Sequence, residues 1–299
     1  MEAPCIHTRF GPTQAGLHSI FLTCASLPCG LCGLRVWREP AKPQLFSTVN
    51  CMSQTRVVGI LGGMGPAAGA DFARLFVQAC AERMHCLGIA VSDQAFPEHW
   101  LAQVPLPDRS AALQMSGPGA HQPLEPMLQA LGKLAALGAK TVAVACNTAH
   151  IWHDDLQQRF PQVEVLHVAR EVATTLAREG VQEVGLLATQ GTYRAGLYRL
   201  ALSKAGLVCH EPLPAERDRL MQGIYEGVKT GHIELARACF EEVGIALAQR
   251  HGLSTLVLGC TEIPLALHEV KMPATGQKLR LLDPAVELAR ALAQRAYAG

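Results

Sequence analysis

The chain has 299 residues, 49% of them apolar, 17% charged and only 5% aromatic, and a formal net charge of +1. That length accommodates one large domain or two of about 100 to 150 residues, each with a real core. With no long block of one sign, the charge gives no electrostatic reason to expect nucleic acid or an anionic membrane as partner, which leaves a small molecule.

Residues 1–51 differ from all that follows. They are rich in Cys, Pro and Gly, show no sustained helical or strand period, and hold five of the eleven cysteines (Cys5, Cys24, Cys29, Cys32 and Cys51). Pro12, Gly16, Pro28, Gly30 and Gly33 interrupt any signal or anchor pattern. Cys29 and Cys32 have C-x-x-C spacing, but no second pair completes a zinc set. Met52 is followed at once by S-Q-T-R-V-V-G-I-L, a plausible domain opening. Residues 1–54 are therefore expected to be an N-terminal extension, disordered or outside the mature protein. An odd cysteine total without regular spacing argues for reduced thiols in a reducing compartment, the cytoplasm by default.

From Arg56 apolar runs alternate with amphipathic ones. Val57 to Leu61 is a buried-strand pattern that ends in the turn Gly62-Gly63-Met64-Gly65-Pro66, and a helix follows with Phe72, Leu75, Phe76, Cys80 and Met84 on one face. Leu87 to Val91 reads as the next strand. Phe96 to Gly119 reads as a long proline-containing excursion of the kind that is usually functional. A helix over Leu124 to Leu137 leads into T-V-A-V-A-C-N-T-A-H, residues 141–150, an apolar run that stops at Cys146. The second half has the same rhythm. Strands are expected at 163–168, 184–188, 207–209, 256–258 and 279–282, with helices at 170–178, 193–205, 215–228, 233–250 and 284–297.

Strands separated by helices predict an α/β fold of parallel sheets flanked by helices. An internal repeat sharpens this. T-L-V-L-G-C-T-E-I-P, residues 255–264, lies 114 residues beyond the Cys146 stretch on the same plan, with Gly138 and Gly252 each eight residues before the cysteine. Upstream, V-V-G-I-L-G-G (57–63) matches E-V-G-L-L-A-T (183–189). The expectation is two pseudo-symmetric domains, one formed by residues 55–165 together with 279–299 and the other by 166–278. The active site would lie in the cleft between them, beyond the carboxyl ends of the strands.

Cys146 and Cys260 both fall at such ends. A thiol has an ordinary pKa of about 8.5, so a modest nudge gives a thiolate while a neighbouring thiol stays protonated. Two opposed cysteines can thus remove a proton from a carbon acid and return one to its other face. Either cysteine alone is most economically a small core residue; matched positions, each followed by polar residues, favour a site. Asn147 and Thr148 after the first, and Thr261 and Glu262 after the second, suit a strand-to-helix corner and can bind a carboxylate. Cys80, Cys86, Cys209 and Cys239 have no such partners and are read as packing residues. Gly63-Met64-Gly65-Pro66-Ala67-Ala68 formally fits a dinucleotide fingerprint, but no acidic residue closes a strand about 20 residues on. His150 and His153 could be drawn as a metal pair; nothing completes it, and a solvated helix start is the plainer reading.

From about residue 55 onward the chain resembles the aspartate/glutamate racemases, and among them the aspartate racemases. The motifs that carry the resemblance are G-I-L-G-G-M-G-P (59–66), L-P-D-R-S (106–110), C-N-T-A-H (146–150), L-L-A-T-Q-G-T (186–192), I-Y-E-G-V-K-T-G (224–231) and G-C-T-E-I (259–263). The resemblance implies a two-base mechanism without pyridoxal phosphate or any other cofactor or metal, with Cys146 and Cys260 as the acid and base. It implies that Asn147, Thr148, Thr189 and Thr261 hold the substrate carboxylate and ammonium, and that Arg109 and Lys229 are the family's two cationic positions. Met64 and Glu262 complete the expected substrate-binding set. An arginine fork and a lysine together suit a dicarboxylic amino acid. Homodimers are common in this family.

The expected activity is interconversion of L- and D-aspartate. Glutamate stays open, because one methylene is worth only about 1 to 3 kcal/mol of discrimination. The alternatives are a decarboxylase or cis–trans isomerase of a small dicarboxylate in the same superfamily, or a non-catalytic binder of acidic metabolites. Two departures stand out: Ala67-Ala68-Gly69 replaces a small hydroxyl residue that many relatives carry, and residues 1–51 have no counterpart.

Overall fold

The computed structural model of the chain describes residues 55–113 and 122–298. The readings placed on residues 1–54, Cys29 and Cys32 among them, lie outside the described residues. The described residues belong to one compact unit.

Eight strands make two parallel sheets. In the first, β1 (Val58–Gly62), β2 (His99–Gln103), β3 (Thr141–Val144) and β4 (Glu164–Val165) lie in the order β2-β1-β3-β4. In the second, β5 (Glu183–Ala188), β6 (Val208–His210), β7 (Thr255–Gly259) and β8 (Arg280–Leu282) lie in the order β6-β5-β7-β8. The orders are equivalent and so is the register: Gly59 pairs with Val142 as Gly185 pairs with Leu256. Both glycines are forced by close approach. A Cβ would meet Val142 Cγ2 at 3.0 Å in one sheet and Leu256 Cδ2 at 2.6 Å in the other. The central strands β1, β3 and β7 are buried along their whole length, which is why they read as continuous apolar runs.

The helices are α1 (Pro66–Cys86), α2 (Arg109–Ala112), α3 (Leu124–Ala136), α4 (His153–Arg159), α5 (Val168–Arg178), α6 (Gln190–Ala195), α7 (Leu197–Lys204), α8 (Pro214–Gln222), α9 (Ile233–His251) and α10 (Pro284–Ala296). Gly138 and Gly252, the matched glycines before each cysteine strand, both have positive φ, +92° and +69°, where the chain leaves α3 and α9 for the sheet. Alternation divides the core of the first sheet. Val58, Ile60, Ala143 and Ala145 join a large cluster with α1, α10 and the second sheet, while Leu61, Val142, Val144 and Cys146 face the smaller cluster under α3.

Several elements differ from expectation. Leu87 to Val91 is not a strand: Gly88, at φ +68°, turns the chain out of α1, and Leu87 and Val91 are 41% and 44% exposed. The strand is β2, inside the stretch read as an excursion. It is an edge strand held by pairing with β1 at five positions, so it needs no apolar run to place it. The helix expected over 193–205 breaks at Gly196, which takes φ +61° between α6 and α7. The helix expected to reach Val228 ends as α8 and continues as a wider turn, Gly223–Gly227, and a 3-10 turn, Val228–Thr230. Cys80 and Cys239 are core residues as read, but Cys86 is exposed at the end of α1. The C-terminal segment divides itself: β8 pairs with β7 in the second sheet, while α10 lies against α1, α5 and β3.

Asp283 caps α10, its Oδ1 accepting from the Ala285 N–H at 2.8 Å. Burial pushes its carboxyl up to about 6, against the pull of that N–H, and the charges of Asp71 and Glu287 add to the rise. An unfolded aspartate titrates near 3.8, so the charged form is penalised in the fold above about pH 6 and the penalty is gone below 3.8. Asp283→Asn keeps a cap and removes the charge. The variant is expected to be more stable than the parent at about pH 7.5, by on the order of 1 to 2 kcal/mol, with the gain fading as pH falls from 6 toward 4. Urea denaturation across that range measures it.

Candidate active site

In each sheet the chain leaves the first strand for one side and returns on the other, so the crevice lies between β1 and β3 and between β5 and β7, at their carboxyl ends. Met64 follows β1, Cys146 follows β3, Thr189 follows β5 and Cys260 follows β7. All ten residues singled out in the sequence line one pocket of about 340 Å³: Met64, Arg109, Cys146, Asn147, Thr148, Thr189, Lys229, Cys260, Thr261 and Glu262. Four others line it that the sequence reading did not single out, Asp108, Ser110, Ile224 and Tyr225. Each sits inside a motif already quoted, next to Arg109 or four to five residues before Lys229; that proximity was the available signal.

Arg109 opens α2, just after the prolines that follow β2. The residue is 8% exposed, and its guanidinium donates to three carbonyls: Met64 O from Nη2 at 2.7 Å, and Pro107 O and Leu106 O from Nη1 at 3.0 and 3.3 Å. Its Nε–H is buried with no acceptor among the described residues. A buried cation without a carboxylate partner and with donors unspent, the Nε–H among them, is suited to an anion entering the pocket. Lys229 also lines the pocket, with Nζ 4.8 Å over the Tyr225 ring and 4.0 Å from Glu262 Oε1. Tyr225 donates to Asp108 Oδ2 at 2.7 Å, while Asp108 Oδ1 caps α2 through the Ala111 N–H at 2.7 Å. Burial pushes the Asp108 carboxyl up, but the Ala111 N–H, the Tyr225 hydroxyl and the two cations outweigh it and hold it below the usual range.

The two thiols are 7% and 5% exposed and meet opposite charges. Burial pushes Cys146 up, the Arg109 guanidinium pulls it down, and the Glu262 carboxylate adds to the rise. Cys260 lies well above the usual thiol range, first through burial and then through the charge of Glu262 and the hydrogen bond that its S–H donates to Glu262 Oε2 at 3.0 Å. Thr261 donates to the same oxygen at 3.1 Å. The free protein therefore holds Cys260 as a thiol aimed at a carboxylate, and Cys146 as the thiol beside a cation.

Polar contacts bridge the two sheets at this level. Thr148 and Thr189 hydroxyls lie 2.9 Å apart, Thr192 is 3.2 and 3.1 Å from them, and the Tyr198 hydroxyl donates to Asn147 Oδ1. His150 and His153, read from the sequence as a solvated helix start, are instead buried. His150 Nδ1 lies 2.9 Å from Cys146 O and 3.3 Å from Asn147 O, and His153 Nε2 is 2.8 Å from Val165 O. The reason is that the turn Thr148–Trp152 tucks beneath Cys146 instead of running outward. At Ala67-Ala68-Gly69 the glycine leaves room for Gln103, whose Nε2 donates to Pro66 O at 2.9 Å; a Cβ on Gly69 would lie 2.4 Å from Gln103 Oε1. No cluster of side chains among the described residues could hold a metal ion, and no described helix is long and apolar enough to cross a membrane.

Comparison with known proteins gives this geometry a context. The family described as Asp/Glu/Hydantoin racemase matches residues 61–292. The solved aspartate racemase of Picrophilus torridus is similar with a TM-score of 0.64 and 28% identity, over 81% of this chain and 94% of that one. A glutamate racemase of Corynebacterium diphtheriae is 30% identical over 168 residues, 53% of this chain and 58% of the relative. The broad specificity amino-acid racemase RacX of Bacillus subtilis is 22% identical over 221 residues, 72% of this chain and 89% of the relative. The chain thus spans little more than half the length of that glutamate racemase.

The opposed charges beside the thiols give predictions of opposite sign. Glu262→Gln removes the charge that holds Cys260 up, so iodoacetamide at about pH 8 is expected to label Cys260 faster, roughly 3- to 10-fold. Arg109→Met removes the cation beside Cys146 and slows labelling there by a similar factor. Peptide mapping by mass spectrometry reads both sites; simple loosening of the pocket would speed both.

Proposed function

Because the chain belongs to the Asp/Glu/Hydantoin racemase family, we propose that it interconverts L- and D-aspartate by a two-base mechanism that needs no cofactor. The observation that carries this reading is the placement of Cys146 and Cys260 at the ends of register-matched strands, lining one pocket with a buried arginine that has a donor to spare. One thiolate removes the Cα proton, and the opposing thiol delivers its own proton to the other face, so the configuration inverts and the two sulfurs exchange roles. Cys146, beside Arg109, is the group more readily ionised in the free protein, and we assign it as the first base; Cys260, donating to Glu262, is the first acid.

Arg109 and Lys229 would fix the side-chain carboxylate, with Met64 forming the wall whose carbonyl orients the guanidinium. Asn147, Thr148, Thr189 and Thr261 would receive the α-carboxylate and ammonium. A pocket closed to water strengthens these contacts as charge develops at Cα. Two working thiols require a reducing compartment, which supports the cytoplasm, and all six cysteines described are unpaired. A homodimer belongs to this reading as well, and sedimentation equilibrium returning the monomer mass would remove it.

In heavy water, L-aspartate and D-aspartate are each expected to gain deuterium at Cα and to converge on zero optical rotation. Release of carbon dioxide would make the protein a decarboxylase, and saturable binding without exchange would make it a binder. Cys146→Ala and Cys260→Ala are each expected to lower exchange by roughly a thousandfold. Parent-level exchange in both variants would sink the two-base reading. Running L-glutamate in parallel ranks the two acids.

A further inference from the structure

A second and larger cleft, of about 1080 Å³, lies on the far side of the Cys146 turn and shares no lining residue with the candidate active site. Its walls come from the turn after β3, the first turns of α5, and α7. Nothing in the reaction proposed above uses it.

The lining has a consistent chemistry. Leu197 and Leu200 supply an apolar wall from α7, Leu197 buried at its base and Leu200 56% exposed. Lys204 and Arg170 stand on the polar side. The one carboxylate there, Asp154, already lies 2.9 Å from His153 Nδ1 and 3.6 Å from Arg170, whereas Lys204 makes no ion pair among the described residues. His167 accepts the Arg170 N–H at its Nδ1, at 3.4 Å, which fixes its neutral tautomer with Nε2–H as a donor. An anion with an apolar body suits this wall better than a cation or a neutral polar solute.

The floor of the cleft is His150. Burial is the main reason that its imidazole titrates down near 4, so the ring is neutral at ordinary pH. Its Nδ1 faces two carbonyls, Cys146 O and Asn147 O, and must carry the proton that they accept. Nε2 is then a bare acceptor, and it is buried with no hydrogen-bond partner among the described residues. A ligand with an N–H or O–H donor beside its anionic group would complete it. The same ring would then touch the ligand at one nitrogen and hold the backbone of Cys146 at the other.

We propose that this cleft is a second binding site, for a small amphipathic organic anion that carries a hydrogen-bond donor, and that its occupancy is transmitted through His150 to the position of Cys146. The two sites are distinct, the coupled element is the turn 146–152, and the differential contact is the one made at His150 Nε2.

The probe is anilinonaphthalene sulfonate, which has a sulfonate, an aromatic body and one N–H, added to the whole chain. Fluorescence titration is expected to show one saturable site that excess L-aspartate does not displace. Lys204→Glu and Leu200→Glu, both at exposed positions outside the candidate active site, are each expected to weaken the probe by about tenfold or more. Saturating probe is expected to change the rate of iodoacetamide labelling at Cys146 by roughly fivefold, and this response should vanish in Lys204→Glu. No saturable binding, binding indifferent to both variants, displacement by L-aspartate, or a labelling rate that ignores the bound probe would each overturn the proposal. Neither readout requires the chain to racemise aspartate, so failure here and failure of the racemase reading are separate results.

Discussion

Cys260 donates its S–H to Glu262 at 3.0 Å where water scarcely reaches, and the rest of the pocket is arranged around the consequences of that contact. A thiol in a dry site prefers its neutral form, and an adjacent carboxylate reinforces the preference. A site with only that feature would hold two inert cysteines. Arg109 supplies the opposing charge, and it can do so because three backbone carbonyls satisfy the guanidinium without neutralising it. A carboxylate in their place would have cancelled the field that Cys146 feels.

The two sheets are matched in strand order and register, yet the chemistry at their ends is not matched. A cation stands beside one thiol and an anion beside the other. That asymmetry gives two equivalently placed cysteines different resting tendencies. Symmetry of the fold places the sulfurs; broken symmetry of the side chains sets their protons.

Rigidity at the crevice comes from polar contacts, since the strand ends are where the apolar core stops. Thr148 with Thr189, and Tyr198 with Asn147, tie one sheet to the other beside the thiols, and His150 clasps the carbonyl of Cys146 from behind. The buried histidines thus belong to the scaffold of the pocket. One of them, His150, also lines the cleft on the opposite side, and its ring reaches the pocket only through the carbonyl of Cys146.

Ten of the fourteen residues that line the pocket were legible beforehand, Met64, Arg109, Thr189 and Lys229 through the family resemblance. The sequence by itself determined the alternation of strands and helices, the repeat and the two cysteines. It did so because buried parallel strands read as plain apolar runs and because the glycines at 59, 185, 138 and 252 are demanded by close approach or positive φ, constraints that act within a few residues. It misplaced the second strand, since β2 is held at an edge by main-chain pairing that leaves no apolar signature, and Leu87 to Val91 offered a false one. Only the tertiary structure decided that β8 joins the second sheet while α10 lies on α1, that His150 turns inward beneath Cys146, and that Tyr225 reaches Asp108 across 117 residues of chain. These depend on which surfaces meet after the sheets form, and a local pattern carries no record of that.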